Sequence, residues 1–111
     1  EYIQGQPEIF VTEGNFAWLA LTNWGYPAAC LLGTWLKKAH RVHFDPARRI
    51  YLAFDSDAEG QEATQRLIEL WPERAVALRL PDGVKDVAEL GERPGGREVF
   101  AAMLDRARDG S

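Results

Sequence analysis

Apolar and polar positions alternate in blocks along the chain, each block closed by glycine, proline or an acid. Ile9-Phe10-Val11-Thr12 is a short β-prone run that stops at Glu13-Gly14. Asn15 to Trp24 predicts a helix that is apolar nearly all round, and therefore one covered on more than one side. Gly25-Tyr26-Pro27 breaks it, because proline lacks the amide donor and glycine accepts any backbone angle. Ala28 to Leu32 reads as a second strand, Trp35 to His40 as a short helix, and Asp45-Pro46 as a turn.

The strongest strand is Ile50-Tyr51-Leu52-Ala53-Phe54, which ends on Asp55. Ala58 to Trp71 follows as an amphipathic helix. Ala63, Leu67, Leu70 and Trp71 fall at i, i+4, i+7 and i+8, while Glu59, Glu62, Gln65, Arg66 and Glu69 face water. Pro72 stops that helix, Ala75 to Leu80 is a fourth strand, and Pro81-Asp82-Gly83 a turn. After Gly95-Gly96 a last helix repeats Val99, Phe100, Met103, Leu104 and Ala107 at helical spacing. Strand and helix in alternation imply parallel strands joined by right-handed crossovers. A sheet buried on both sides suits strands that are apolar throughout. The expected architecture is a single α/β domain over residues 1–111, Rossmann-like, with an open, mainly parallel four-stranded sheet and helices on both faces.

Composition narrows this picture without changing it. In 111 residues, 46% are hydrophobic and 27% charged, the make-up of an ordinary globule rather than a disordered or fibrous chain. No apolar run approaches the roughly 20 residues needed to cross a bilayer, and no basic-then-apolar leader points to secretion. The single cysteine, Cys30, makes no internal disulfide and fits a reducing, cytoplasmic setting. A net charge of −4 argues against gripping nucleic acid through charge alone. The chain opens at Glu1 without a methionine, which suggests a piece of a longer protein.

The acids carry the chemistry. In open parallel sheets ligands bind beyond the carboxyl ends of the strands. There Glu13 closes the first strand, Asp55 the third, Asp57 follows two residues on, and Asp82 and Asp86 lie past the fourth. Residues two apart on extended backbone point the same way, roughly 6.5 to 7 Å apart, so Asp55 and Asp57 face one point that Glu13 reaches from a neighbouring strand. Carboxylates aimed at one spot repel unless a cation joins them. Hard oxygen ligands without histidine or thiolate select Mg2+ or Mn2+, which share their remaining positions with phosphate oxygens. Gly14 and Gly60 would let backbone approach a phosphate at helix starts. The same acids also suit helix caps, Asp86 ahead of Val87-Ala88-Glu89-Leu90 above all.

Two stretches resemble a known family. Phe10-Val11-Thr12-Glu13-Gly14, an apolar helix and Gly25-Tyr26-Pro27-Ala28 are similar to the first motif of Toprim domains. Tyr51-Leu52-Ala53-Phe54-Asp55-Ser56-Asp57-Ala58-Glu59-Gly60 resembles their Asp-x-Asp motif, and Gly83-Val84-Lys85-Asp86 resembles the Gly-Lys-Asp segment of primase-type members. The resemblance implies the Toprim fold, with Glu13 as metal ligand or general acid/base, Asp55 and Asp57 as magnesium ligands and Asp86 as a further acid. It implies a DNA primase-type nucleotidyltransferase domain acting with Mg2+ or Mn2+ on DNA template, primer and nucleoside triphosphates. A replicative helicase would be a partner through the parent protein, and no membrane is involved. Ala17 and Ala88 stand where primase-type members carry further acids, so a second metal and full activity in isolation are not expected.

Lys37, Lys38, Arg41, Arg48 and Arg49 form the only basic concentration, a candidate contact for a nucleic-acid backbone or simply a solvated loop. Trp35 lies within it as a candidate base-stacking residue, and Lys85 is a candidate phosphate contact. Trp18, Trp24 and Trp71 read as core and groove fillers, and Cys30 as a buried strand residue. Competing functions are a topoisomerase- or nuclease-type Toprim that cuts phosphodiesters, and a non-catalytic DNA- or protein-docking module that keeps the fold. A haloacid-dehalogenase-type phosphatase shares a strand-end Asp-x-Asp, but Glu59 stands where it needs threonine or valine.

Overall fold

The computed structural model describes residues 7–12, 15–30 and 48–109. The expected helix over 35–40 and the turn at 45–46 lie outside them. In chain order the elements are β1 (Glu8–Thr12), α1 (Asn15–Asn23), β2 (Ala28–Cys30), β3 (Arg49–Leu52), α2 (Ala58–Leu70), β4 (Ala75–Ala77), α3 (Val87–Glu92) and α4 (Gly96–Asp109). The four strands among the described residues are parallel in one sheet, ordered β2-β1-β3-β4. β1 and β3 are therefore central, with Phe10 opposite Tyr51 and Val11 opposite Leu52.

Strand alternation divides the core in two. Ile9, Val11, Ile50 and Leu52 point to one face and pack with Ala63, Leu67 and Trp71 of α2 and its end. Phe10 and Tyr51 point to the other face, where Ala17 and Leu21 of α1, Val87 and Leu90 of α3, and Phe100, Met103 and Leu104 of α4 cover them. Phe10 stacks on Tyr51 with ring centroids 5.0 Å apart and lies 6.0 Å from Phe100. Each such side chain, fully buried, contributes about 1.5–3 kcal/mol. Helices cover both faces, as the alternation of elements predicts.

Several details differ from the sequence expectation. α1 is a one-sided surface helix: Ala17 and Leu21 are buried, but Phe16 is 76% exposed and Leu19 45% exposed. Apolar residues around a helix do not by themselves require a neighbour on every side. Trp18 is not a core filler, since it is partly exposed while its indole N–H donates to the Ala28 carbonyl at 3.0 Å. Trp24 is half-buried and Trp71 buried. Cys30 is half-buried rather than buried. β4 pairs only to Ala77, and the segment expected as its continuation is irregular apart from a bond from the Leu78 N–H to the Leu52 carbonyl at 3.0 Å. α3 is an additional element, one short helix begun by the Asp86 cap. At the amino end of the sheet, the buried Tyr51 hydroxyl donates to Glu8 at 3.0 Å, and Glu8 is also held by Arg108 of α4.

Candidate acidic site at the carboxyl edge of the sheet

The carboxyl ends of β1, β3 and β4 are aligned by backbone bonds. The Ala53 N–H donates to Val11 at 2.9 Å and the Leu78 N–H to Leu52 at 3.0 Å. Beyond this line the chain leaves β3 through Asp55, Ser56 and Asp57 and enters α2. Asp57 starts that helix: its backbone is extended and its Oδ1 accepts the Gly60 N–H at 2.8 Å. Asp86 does the same for α3, accepting the Glu89 N–H at 2.8 Å, while Glu89 reaches back to accept the Lys85 N–H at 2.7 Å. The capping expectation thus holds for both aspartates, and each keeps its second carboxylate oxygen outside the cap.

Ser56 joins the two acidic loops. Its N–H donates to the Lys85 carbonyl at 2.9 Å, and its hydroxyl lies 3.2 Å from the same oxygen and 3.4 Å from that of Val84. The Asp-x-Asp turn and the Val84-Lys85-Asp86 loop are therefore one structural unit. Sequence reasoning assigned Ser56 no role; its only signal is a small hydroxyl residue between two aspartates.

Electrostatics report the convergence. The half-buried Asp55 carboxyl holds its proton above the usual carboxylate value of 3.8, first because burial disfavours the charge, then because Asp86 and Asp57 repel it; Lys85 partly opposes this, and Glu59 adds to it. Among the described residues no three acids close into a metal-binding nest. Glu13 and Gly14 lie outside the described residues; the last described residue of β1, Thr12, is fully buried.

Gly60 has a reason within the chain itself. A Cβ there would meet the Asp55 carbonyl oxygen at 2.1 Å, so the first turn of α2 sits directly on the Asp55 backbone. Its N–H is engaged by Asp57, which leaves less for a phosphate than the sequence suggests. Lys85 is exposed at the acidic edge. Arg48 and Arg49 are not there: they open β3 at the amino end of the sheet, roughly 20 Å of strand rise from Asp55. The acidic edge and this part of the basic concentration thus occupy opposite ends of the sheet. Lys37, Lys38 and Arg41 lie outside the described residues, as does Trp35.

Two hollows flank the acids. One, about 520 Å³, runs between α1 and α3 past Phe16, Leu19, Trp24, Lys85, Asp86 and Glu92. The other, about 730 Å³, opens on the α2 side, past Ser56, Gln61, Thr64, Arg79 and Asp82.

Residues 10–90 match the model of a family described as Toprim-like. The chain is 39% identical over 66 residues to the DNA primase of Mycoplasma genitalium, a match covering 56% of this chain and 11% of that protein. Its fold is similar to the Aquifex aeolicus primase structure containing the zinc-binding and RNA polymerase domains, with a TM-score of 0.74 at 22% identity over 96% of this chain and 27% of that one. It is also similar to the primase fragment of the bacteriophage T7 primase-helicase protein, with a TM-score of 0.67 at 26% identity over 87% of this chain and 43% of that one. The chain therefore spans a small part of the primase it matches.

Proposed function

Since the chain belongs to the Toprim-like family, we propose that it is the divalent-metal-binding domain of a primase-like protein and takes part in nucleotidyl transfer during primer synthesis. The observation that carries this reading is the placing of Asp55, Asp57 and Asp86 at one edge of the sheet, tied together by Ser56, where the proton affinity of Asp55 is raised first by its burial and then by the charges of Asp86 and Asp57. An edge that concentrates negative charge in this way is relieved by a cation. The donor set fits a hard ion, because it offers carboxylate oxygens and no thiolate or imidazole. Asp55, Asp57 and Asp86, with Glu13 from the neighbouring strand, would hold Mg2+ or Mn2+. Such an ion, once bound, would neutralise polyphosphate charge and favour ionisation of an attacking 3′-hydroxyl.

The chain's own residues do the positioning. Caps hold the Asp57 and Asp86 carboxylates in single orientations, and Ser56 fixes the distance between their loops. Lys85 offers an exposed cation for a phosphate oxygen, Gly14 would let backbone approach one, and Glu13 would serve as general acid or base. DNA template, primer and nucleoside triphosphates would be the substrates, in the cytoplasm, with a replicative helicase met through the parent protein. Lys37, Lys38, Arg41, Arg48 and Arg49 remain a proposed backbone contact, with Arg48 and Arg49 reaching nucleic acid only beyond the far edge of the sheet.

A docking module without catalysis is the second reading. It is favoured by Ala17, which is 4% exposed in the core, and by Ala88, which lines the α1–α3 hollow; neither supplies an acid. The test is thermal: millimolar Mg2+ or Mn2+ should raise Tm by binding the folded state, about 1.4 kcal/mol at tenfold over Kd. Glu13→Gln and Asp55→Asn should each shrink the shift. Template-dependent primer synthesis by the parent protein, lost in Asp55→Asn, supports primase chemistry. Nicking of supercoiled DNA would point to the nuclease class instead, and no metal response to the docking module.

A further inference from the structure

The hollow on the α2 side of the acids is lined by an arginine, Arg79. Residues 76 to 79 alternate across the sheet, with Val76 and Leu78 packed on the α1/α3/α4 face and Ala77 and Arg79 lining the cavity on the α2 face. Arg79 is exposed and has no ion-pair partner among the described residues. Around it the cavity offers the Gln61 amide and the Asp82 carboxylate, with Ser56 and Thr64 beside them; the Ser56 hydroxyl donates to the Lys85 and Val84 carbonyls and so adds no donor. Thr64 engages its proton with the Gly60 carbonyl at 2.8 Å, so it adds no donor. Ser56 is shared with the acidic unit, which makes the cavity continuous with the Asp55–Asp57 turn.

We infer that this cavity is a phosphate subsite, with Arg79 as its cation, that takes the polyphosphate end of a nucleotide whose remaining phosphate oxygens face the acidic edge. The inference rests on the nucleotidyl-transfer reading for the identity of the nucleotide, though the anion subsite stands on its own residues. A volume of about 730 Å³ is in the range of small-ligand pockets, roughly 300–1,000 Å³. A guanidinium fork matches phosphate oxygens two at a time, and Gln61 supplies neutral donors beside it. Asp82 opposes anion binding there, so a phosphate chain would enter accompanied by a divalent cation, which the adjacent acids are suited to share.

The experiment titrates inorganic tripolyphosphate with Mg2+ into the 111-residue chain by calorimetry, and Mn2+ alone in a parallel series. Arg79→Gln should weaken tripolyphosphate binding about tenfold, the loss of one charged hydrogen-bonding group, and Arg79→Lys should restore part of it. The Mn2+ response should be unchanged, because Arg79 is no ligand. Equal affinity in Arg79→Gln, or no tripolyphosphate binding by the wild type, overturns the subsite. A third arm uses a single-stranded oligonucleotide: if Arg79→Gln weakens it but not tripolyphosphate, the cavity serves backbone phosphodiester and the polyphosphate assignment fails. Arg79-dependent tripolyphosphate binding without any Mn2+ response would uphold the subsite while removing the metal reading.

Discussion

Gly60 sets the geometry of the acidic turn, and Gly60→Ala tests this directly. Alanine is the better helix former by about 1 kcal/mol, so an ordinary helical glycine gains from the change. Here the new Cβ would lie 2.1 Å from the Asp55 carbonyl oxygen, 2.8 Å from its carbon and 3.0 Å from its nitrogen. The first contact is 0.9 Å inside the 3.0 Å that Cβ atoms essentially never breach, and its partner is backbone rather than a yielding side chain. Overpacking of this kind costs roughly 1–3 kcal/mol and sometimes more. Because the clash is with backbone, the upper part of that range applies, and the net loss should be about 2 kcal/mol, or roughly 10 °C in Tm.

The assay pairs Gly60→Ala with Gly91→Ala, both within helices. At Gly91 the added Cβ meets only the Ala20 Cβ at 3.2 Å, a contact that a small shift relieves. That variant should stay within about 0.5 kcal/mol of wild type, since the helix-propensity gain offsets the tight fit. Gly60→Ala should also blunt the Mn2+-induced Tm shift, because α2 can accept the methyl only by moving off the Asp55 backbone. Urea unfolding that finds Gly60→Ala as stable as wild type would refute the reasoning about the turn.

The remaining predictions concern charge. Because Asp55 holds its proton more tightly folded than unfolded, its ionisation opposes folding: without metal, stability should fall as pH rises from 3.8 through the higher folded value, with the cost fully present above it. Asp55→Asn should therefore be at least as stable as wild type at pH 7 in EDTA yet lose the metal-induced shift; a variant less stable in EDTA at pH 7 contradicts this. Asp57→Asn and Asp86→Asn preserve a cap-competent side chain and should cost less than about 0.5 kcal/mol, while each reduces the Mn2+ shift; an unchanged shift would make these residues caps alone. Glu8→Ala removes the carboxylate that accepts from the buried Tyr51 hydroxyl and pairs with Arg108 and should cost about 1–3 kcal/mol in urea unfolding, leaving the metal response intact at the other end of the sheet.

The parallel sheet was legible because each strand is a short apolar run closed by a breaker, and because Ile9 to Val11 and Ile50 to Leu52 are apolar on both faces, as only doubly covered strands are. The amphipathic period of 58–71 likewise located α2 to within a residue. The exposure of Phe16 and Leu19 was not legible, since periodicity says which residues can be buried and not whether a neighbour arrives. α3 escaped because six residues give too few turns for a period; only its Asp86 cap announced it. The separation of Arg48 and Arg49 from the acids is a matter of strand direction: they precede β3 as Asp55 follows it, and closeness in sequence becomes opposite ends of the sheet.

Capping and metal binding at this edge are complementary demands on the same side chains. A cap engages one carboxylate oxygen with a backbone amide and so fixes the side-chain orientation; the remaining oxygen then needs little further ordering to bind an ion. Asp57 and Asp86 show this arrangement in two helices whose starts are tied together by Ser56. Asp55 does not cap a helix. It is partly buried and repelled by both, so a cation bound beside it would lower the energy of an arrangement the metal-free fold holds at a cost. The two capped acids hold helix starts as well as offering oxygens, whereas Asp55 caps nothing and is destabilised as an anion by burial and by its neighbours, which is why Asp55→Asn should separate stability from metal binding more cleanly than substitution of either cap.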